Sequence, residues 1–202
     1  MGKPYRPKDH YFQRAKQRGL RARSAFKLEE LVERFGLVRP GARVLDLGAA
    51  PGGFLQVIAR IVGPSGLAVG VDLVPLRPFS ESWVSTGVVD VLADDARAQV
   101  EAIAPGPFDA VLSDMAPKTT GVRATDEARS LRLAERALEL AGVLGKTGSS
   151  FVAKLFMGGD FESYRARLRE AYREVKVVRP EATRSASVEV YLVGLGRRPV
   201  AR

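Results

Sequence analysis

Apolar positions along the chain follow two alternating rhythms. In "SAFKLEELVERFG" (24–36), Leu28, Leu31, Val32 and Phe35 fall at i, i+3, i+4 and i+7, which places them on one helical face. Gly36 stands where a C-terminal cap belongs, and Ser24 where a side-chain N-cap belongs. "ARVLDLG" (42–48) follows as a short, nearly unbroken apolar run, the pattern of a strand buried on both faces. The alternation then repeats. "GGFLQVIARIVG" reads as a helix, "GLAVGVDLV" and "GVVDVLAD" as strands, and 95–104 as a weak helix. "FDAVLSDMAP" is a fourth strand, "DEARSLRLAERALELAGVL" a long amphipathic helix, "GSSFVAKLF" a fifth strand and "DFESYRARLREAYR" another helix. "EVKVVRP" and "SVEVYLVGLG" close the series with only a loop between them, so they should pair as an antiparallel hairpin at one edge. Strands alternating with helices imply an α/β fold with a mostly parallel sheet covered on both faces.

Composition narrows the chemistry. Cysteine is absent and His10 is the single histidine, which excludes disulfides, thiolate nucleophiles and His-based metal sites. Any reaction must use carboxylates, lysines, hydroxyls or an organic cofactor. No apolar run is long enough to span a membrane, and the N-terminus lacks the apolar core of a secretory signal, so a cytoplasmic protein is expected.

Charge adds a partner. Residues 1–23 carry eight Lys and Arg against one acid, Asp9, so this stretch holds +7 of the chain's net +9. Such a stretch attracts a polyanion, most simply nucleic acid, and Tyr5, His10, Tyr11 and Phe12 among its cations can stack on bases. The expected organisation is a basic nucleic-acid-binding arm, 1–23, followed by one α/β sheet domain, 24–202.

The turn after the first strand, "LDLGAAPGGF", lies where open α/β sheets bind ligands. Gly48, Gly52 and Gly53 let a ligand approach the main chain. Their spacing, with Pro51 between, is not the G-x-G-x-x-G of a dinucleotide site, which argues against a nicotinamide-dependent oxidoreductase. Acids end the strands instead. Asp46 ends the first and Asp72 the second, Asp94 and Asp95 follow the third, and Asp114 follows the fourth. S-adenosylmethionine carries no phosphate, but has a sulfonium, an ammonium, two ribose hydroxyls and an adenine amino group, all suited to carboxylates.

Lys27, Lys154 and Glu189 each interrupt an apolar element. Lysine is seldom buried without a partner. Singly, Lys27 reads as snorkelling from its helix, Glu189 as facing outward on an edge strand, and Lys154 as reaching water from a strand end. Together with Asp114 they read as one shared site. A lysine accepts a proton only when neutral, and from a reference pKa near 10.4 that form costs about 4 kcal/mol at neutral pH.

The motifs "RSAFKLEEL", "VLDLGAAPGGF", "GVDLVP", "VLSDMAP", "FVAKLF" and "RPEATRSASVEVYLV" recur in an order that resembles the FtsJ/RrmJ-type 2′-O-ribose RNA methyltransferases, from about Arg18 to Gly196. The resemblance implies a Rossmann-like methyltransferase fold with a seven-stranded sheet. It also implies a catalytic tetrad at Lys27, Asp114, Lys154 and Glu189, with Lys154 as the main activator. Cofactor contacts are implied at Gly52, Phe54, Asp72, Asp114 and one of Asp94 and Asp95, with Asp95 favoured. Asp46, Gly48 and Gly53 join them as candidates. The implied substrate is a uridine of large-subunit (23S) ribosomal RNA, modified by a monomer without metal. A tRNA methyltransferase of the same superfamily and a non-catalytic cofactor- and RNA-binding module are the alternatives. The chain departs from the family pattern at Phe54, often Trp, and at Lys118, usually Asn.

Overall fold

The computed structural model describes residues 10–184 and 187–199. The expectations placed on Lys3, Tyr5, Arg6, Lys8 and Asp9, and on positions 185–186 of the last loop, lie outside the described residues.

Among the described residues seven strands form one sheet: β1 (Arg43–Leu47), β2 (Leu67–Asp72), β3 (Val84–Val88), β4 (Phe108–Ser113), β5 (Gly145–Phe156), β6 (Tyr172–Val178) and β7 (Glu189–Arg197). Their order is β3-β2-β1-β4-β5-β7-β6. The β3–β2, β2–β1, β1–β4 and β4–β5 pairs are parallel, and β7 runs antiparallel between β5 and β6. The closing hairpin therefore forms as the sequence implies, with β6 as the edge.

Helices α2 (Ser24–Phe35) and α3 (Gly53–Val62) cover one face. Helices α4 (Ala96–Ile103), α5 (Arg123–Leu144) and α6 (Phe161–Ala171) cover the other. Strand periodicity assigns each side chain to a face. Val44, Ala68, Ala110, Val152 and Tyr191 pack toward α2 and α3. Leu45, Val69, Val111, Phe151 and Leu192 pack toward α4, α5 and α6.

At the ends of α2 one expected cap forms and the other does not. Gly36, at φ 63°, is the left-handed C-cap. Ser24 is instead the first helical residue and makes no cap; Arg23 holds the cap position, because the turn at 22–23 already takes the Ala25 and Phe26 N–H groups. Strand β3 ends at Val88, earlier than the apolar run suggests. It is a half-exposed edge strand with Ser85 and Thr86 in its middle, while Val89 and Val91 pack beyond the ladder in the core beside α4.

Residues 10–23 are not a free arm. Helix α1 (His10–Gln17) and the turn after it dock on α2 through buried Ala15 and Leu20. Tyr11 meets the Phe26 ring at 5.6 Å, and Arg18 makes two 2.9 Å bonds to Glu29. Two small anchors in a basic segment leave no readable helical periodicity, which is why the sequence suggested an arm.

Candidate active site

The loop after β1 is shaped by backbone demands. Gly48 has φ +77°, and a Cβ there would lie 2.4 Å from Met115 Cγ. The Gly48 and Ala49 amides both donate to Val71 O, which ties the loop to the end of β2. There Asp72 accepts from Ala50 N–H through Oδ2 (2.9 Å) and from Val74 N–H through Oδ1 (3.2 Å). Each oxygen keeps lone-pair capacity for another donor.

Asp46 is fully buried, and the Leu55 backbone N–H offers its carboxylate only weak support. Burial drives its carboxyl well above the ordinary range, and the nearby charges of Asp114 and Asp72 push the same way, toward the neutral acid.

The four tetrad candidates come together, although 162 positions separate Lys27 from Glu189. Strand register explains how. Ser113 pairs with Ala153, so Asp114 follows β4 beside Lys154. Across β5 and β7, Lys154 pairs with Tyr191 and Phe156 with Glu189, so Tyr191 and Glu189 share the face of Lys154. Lys154 Nζ donates to Asp114 O at 2.6 Å and to Asp114 Oδ1 at 2.8 Å. Tyr191 donates its hydroxyl to the same Oδ1 at 2.5 Å and receives Lys27 Nζ at 3.3 Å. Lys27, from α2, also pairs with Glu189. Both lysines are buried. The result is one continuous polar chain from Lys154 through Asp114, Tyr191 and Lys27 to Glu189.

Tyr191 is the member that the sequence reading missed. In "SVEVYLV" it looks like an ordinary apolar strand residue, and only the register shows its hydroxyl facing two charges. Burial, then the Asp114 carboxylate, push that phenol well above its usual value, so it stays a donor. Phe54 stacks on the Tyr191 ring with centroids 6.4 Å apart.

Two cavities flank this chain. The larger, about 580 Å³, is lined by Gly48, Asp72, Asp90, Asp114 and Met115 among others. The second, about 470 Å³, is lined by Arg23, Lys27, Arg184, Ser187 and Glu189. Of the cofactor candidates, Gly48, Asp72 and Asp114 line the large cavity, whereas Asp46, Gly52, Gly53, Phe54 and Asp95 do not. Gly53 serves helix packing: a Cβ there would strike Ser24 Oγ at the start of α2 and Ala22 Cβ in the turn before it. Gly52, at φ +110°, passes over the Arg21 side chain. Asp95 holds the N-cap position of α4 and accepts from Gln99 Nε2. Because β3 ends early, the acid reaching the cavity is Asp90, fixed by the Leu92 amide at 2.9 Å. Asp94 is not in the lining either.

A sheet of this order, with a glycine loop after β1 and acids at the strand tips, is the architecture of a Rossmann-like methyltransferase. The chain belongs to the FtsJ-like methyltransferase family, whose model matches residues 20–197. A relative from Myxococcus xanthus, named ribosomal RNA large subunit methyltransferase E, is 68% identical over 98% of this chain and 93% of its own length. One of the same name from Anaeromyxobacter sp. is 54% identical over 100% of this chain and 74% of its own. A crystal structure described as a ribosomal RNA methyltransferase from Plasmodium falciparum superposes with a TM-score of 0.75. At 21% identity, covering 88% of this chain and 98% of that one, it speaks for the fold.

Proposed function

We propose that this protein methylates a ribose 2′-hydroxyl, on a uridine of large-subunit (23S) ribosomal RNA, using S-adenosylmethionine. The observation that carries the reading is the buried Lys154 amine held by two bonds to Asp114. Asp114 lines the cavity edged with acids, and the pair is linked through Tyr191 to Lys27 in the cleft edged with cations. The names of the relatives support ribosomal RNA as the substrate.

The residues present fit the cofactor. Gly48 brings bare main chain to the cavity wall, and Asp72, Asp90 and Asp114 set carboxylates around it. Asp72 would take the ribose hydroxyls, Asp90 the adenine amino group, and Asp114 the methionine end. When bound, S-adenosylmethionine supplies a methyl group on a sulfonium; it passes to the 2′-oxygen while the carbon–sulfur bonding pair stays on sulfur and the hydroxyl proton leaves.

We assign Lys154 the role of taking that proton. Asp114 accepts two bonds from Nζ, which fixes the direction in which the remaining position on that nitrogen meets the incoming hydroxyl. Tyr191 fixes Asp114, and the Lys27–Glu189 pair fixes the side of the site where RNA enters. Alignment of hydroxyl and methyl group supplies much of the rate. Among the described residues no helix is long and apolar enough to cross a membrane. The proposed substrate implies a cytoplasmic protein.

The test is methyl transfer from labelled cofactor to isolated large subunits, free ribosomal RNA and tRNA, followed by mapping of alkali-resistant linkages. Lys154→Ala should abolish transfer while S-adenosylhomocysteine still binds. Retained activity in that variant, or methylation of tRNA alone, would overturn the reading.

A further inference from the structure

The large cavity has a second wall that the cofactor does not explain. Lys118, Arg129 and Arg132 line it together with the acids at the strand tips. All three are exposed. The arginines stand three apart on one face of α5. Arg129 reaches Lys118 O at 3.4 Å, tying α5 to the loop that carries Asp114. Among the described residues neither the Lys118 ammonium nor the Arg132 guanidinium has an acidic partner. Elsewhere on the same helix Arg123 pairs with Glu127 and Arg136 with Glu139. Unpaired cations thus gather at the cavity, while those along the rest of the helix are matched.

S-adenosylmethionine brings no phosphate, and its one carboxylate cannot answer three cations. Another cationic edge, with Arg23, Lys27 and Arg184, borders the second cavity. Arg23 and Lys27 belong to the α2 side of the sheet, whereas Arg129 and Arg132 come from α5 on the opposite face. Lys154 and Asp114 lie at the strand tips between them.

We propose that Lys118, Arg129 and Arg132 form a phosphate-binding wall for the RNA strand, on the far side of the acceptor nucleotide from Arg23 and Arg184; this rests on the RNA-methylating function proposed above. The strand crosses the tips of the sheet from the α2 side to the α5 side. Backbone phosphates are gripped on both flanks of the reacting ribose, which fixes its register without reading sequence. Lys118 supplies that wall's cation from the loop that carries Asp114.

The test compares the full-length protein with Lys118→Ala/Arg132→Ala, and with Arg169→Ala/Lys176→Ala, on α6 and the edge strand β6, as a charge-matched control outside the cavity lining. Binding to transcribed 23S rRNA is measured from low to high salt, S-adenosylhomocysteine binding by calorimetry, and methyl transfer under steady-state conditions. Each single-strand phosphate that is no longer neutralised flattens the log–log salt slope by about 0.7, so the cavity variant should lose about 1.4 and the control none. Its KM for RNA should rise while kcat and S-adenosylhomocysteine affinity hold. An unchanged slope sinks the proposal, and if S-adenosylhomocysteine affinity falls instead, the wall serves the cofactor's carboxylate. A wild-type protein that methylates no RNA would defeat the functional reading itself, a result separable from either of these.

Discussion

The Tyr191 hydroxyl donates to Asp114 Oδ1 at 2.5 Å, from the β7 position directly across the ladder from Lys154. A buried phenol thus orients the carboxylate that orients the lysine. Removing only the hydroxyl, as Tyr191→Phe, should leave S-adenosylhomocysteine affinity within about twofold. The methyl-transfer rate should fall on the order of tenfold, the effect of losing a hydrogen bond to a charged group. Single-turnover assays at saturating cofactor measure this; an undiminished rate would exclude Tyr191 as a positioning residue.

Lys27 and Glu189 pair with side chains only 7% and 14% exposed. Removing one partner leaves the other charge buried, at a cost of about 3–5 kcal/mol. Lys27→Met and Glu189→Gln should each lower the denaturant midpoint strongly, and the double variant should lose less than their sum. Strict additivity would mean that the two charges are not coupled.

Asp46 yields a prediction of sign. Its folded-state carboxyl is held above the ordinary value of 3.8, so folding favours the protonated form. The stability linked to that proton is complete below pH 3.8 and is lost as pH rises toward the folded-state value. Asp46→Asn cannot ionise, so its stability relative to wild type should climb as pH is raised from about 4 toward neutrality. Denaturant titrations across that range check it, and parallel curves for the two proteins would contradict it.

The early end of β3 is tested through two neighbouring acids. Asp90→Asn should weaken S-adenosylhomocysteine binding on the order of tenfold, as expected for a lost charge-assisted hydrogen bond. Asp95→Asn should leave it unchanged, because Asp95 faces Gln99 within α4. Calorimetry on the two variants decides, and the reverse pattern would restore Asp95.

Gly48→Ala should lower both thermal stability and cofactor affinity. The left-handed backbone alone costs about 1–2 kcal/mol. The new Cβ would also crowd Met115, which must move within the cavity lining. Thermal melts with and without S-adenosylhomocysteine report both losses.

Much of this protein was legible before its structure. Among the described residues the apolar periods locate every helix and strand except α1, with β3 misplaced by a few residues. Lys27, Lys154 and Glu189 stood out because each is a charge inside an apolar run, and Asp114 because it follows a buried strand. Tyr191 and Asp90 gave no such signal. Tyrosine belongs in strands without comment, and Asp90 sat inside an apolar run that read as strand but folds as a turn beyond the ladder.

What the sequence determines by itself is local: helix or strand, buried or exposed, and which residue types are out of place. Which of those residues meet was decided by strand order and register. Inserting β7 between β5 and β6 sets Tyr191 opposite Lys154, and a slip of one residue would turn every side chain of that strand to the other face. Periodicity is written in neighbouring residues, whereas this site is built from segments that come together only when the sheet closes its hydrogen bonds around a common core.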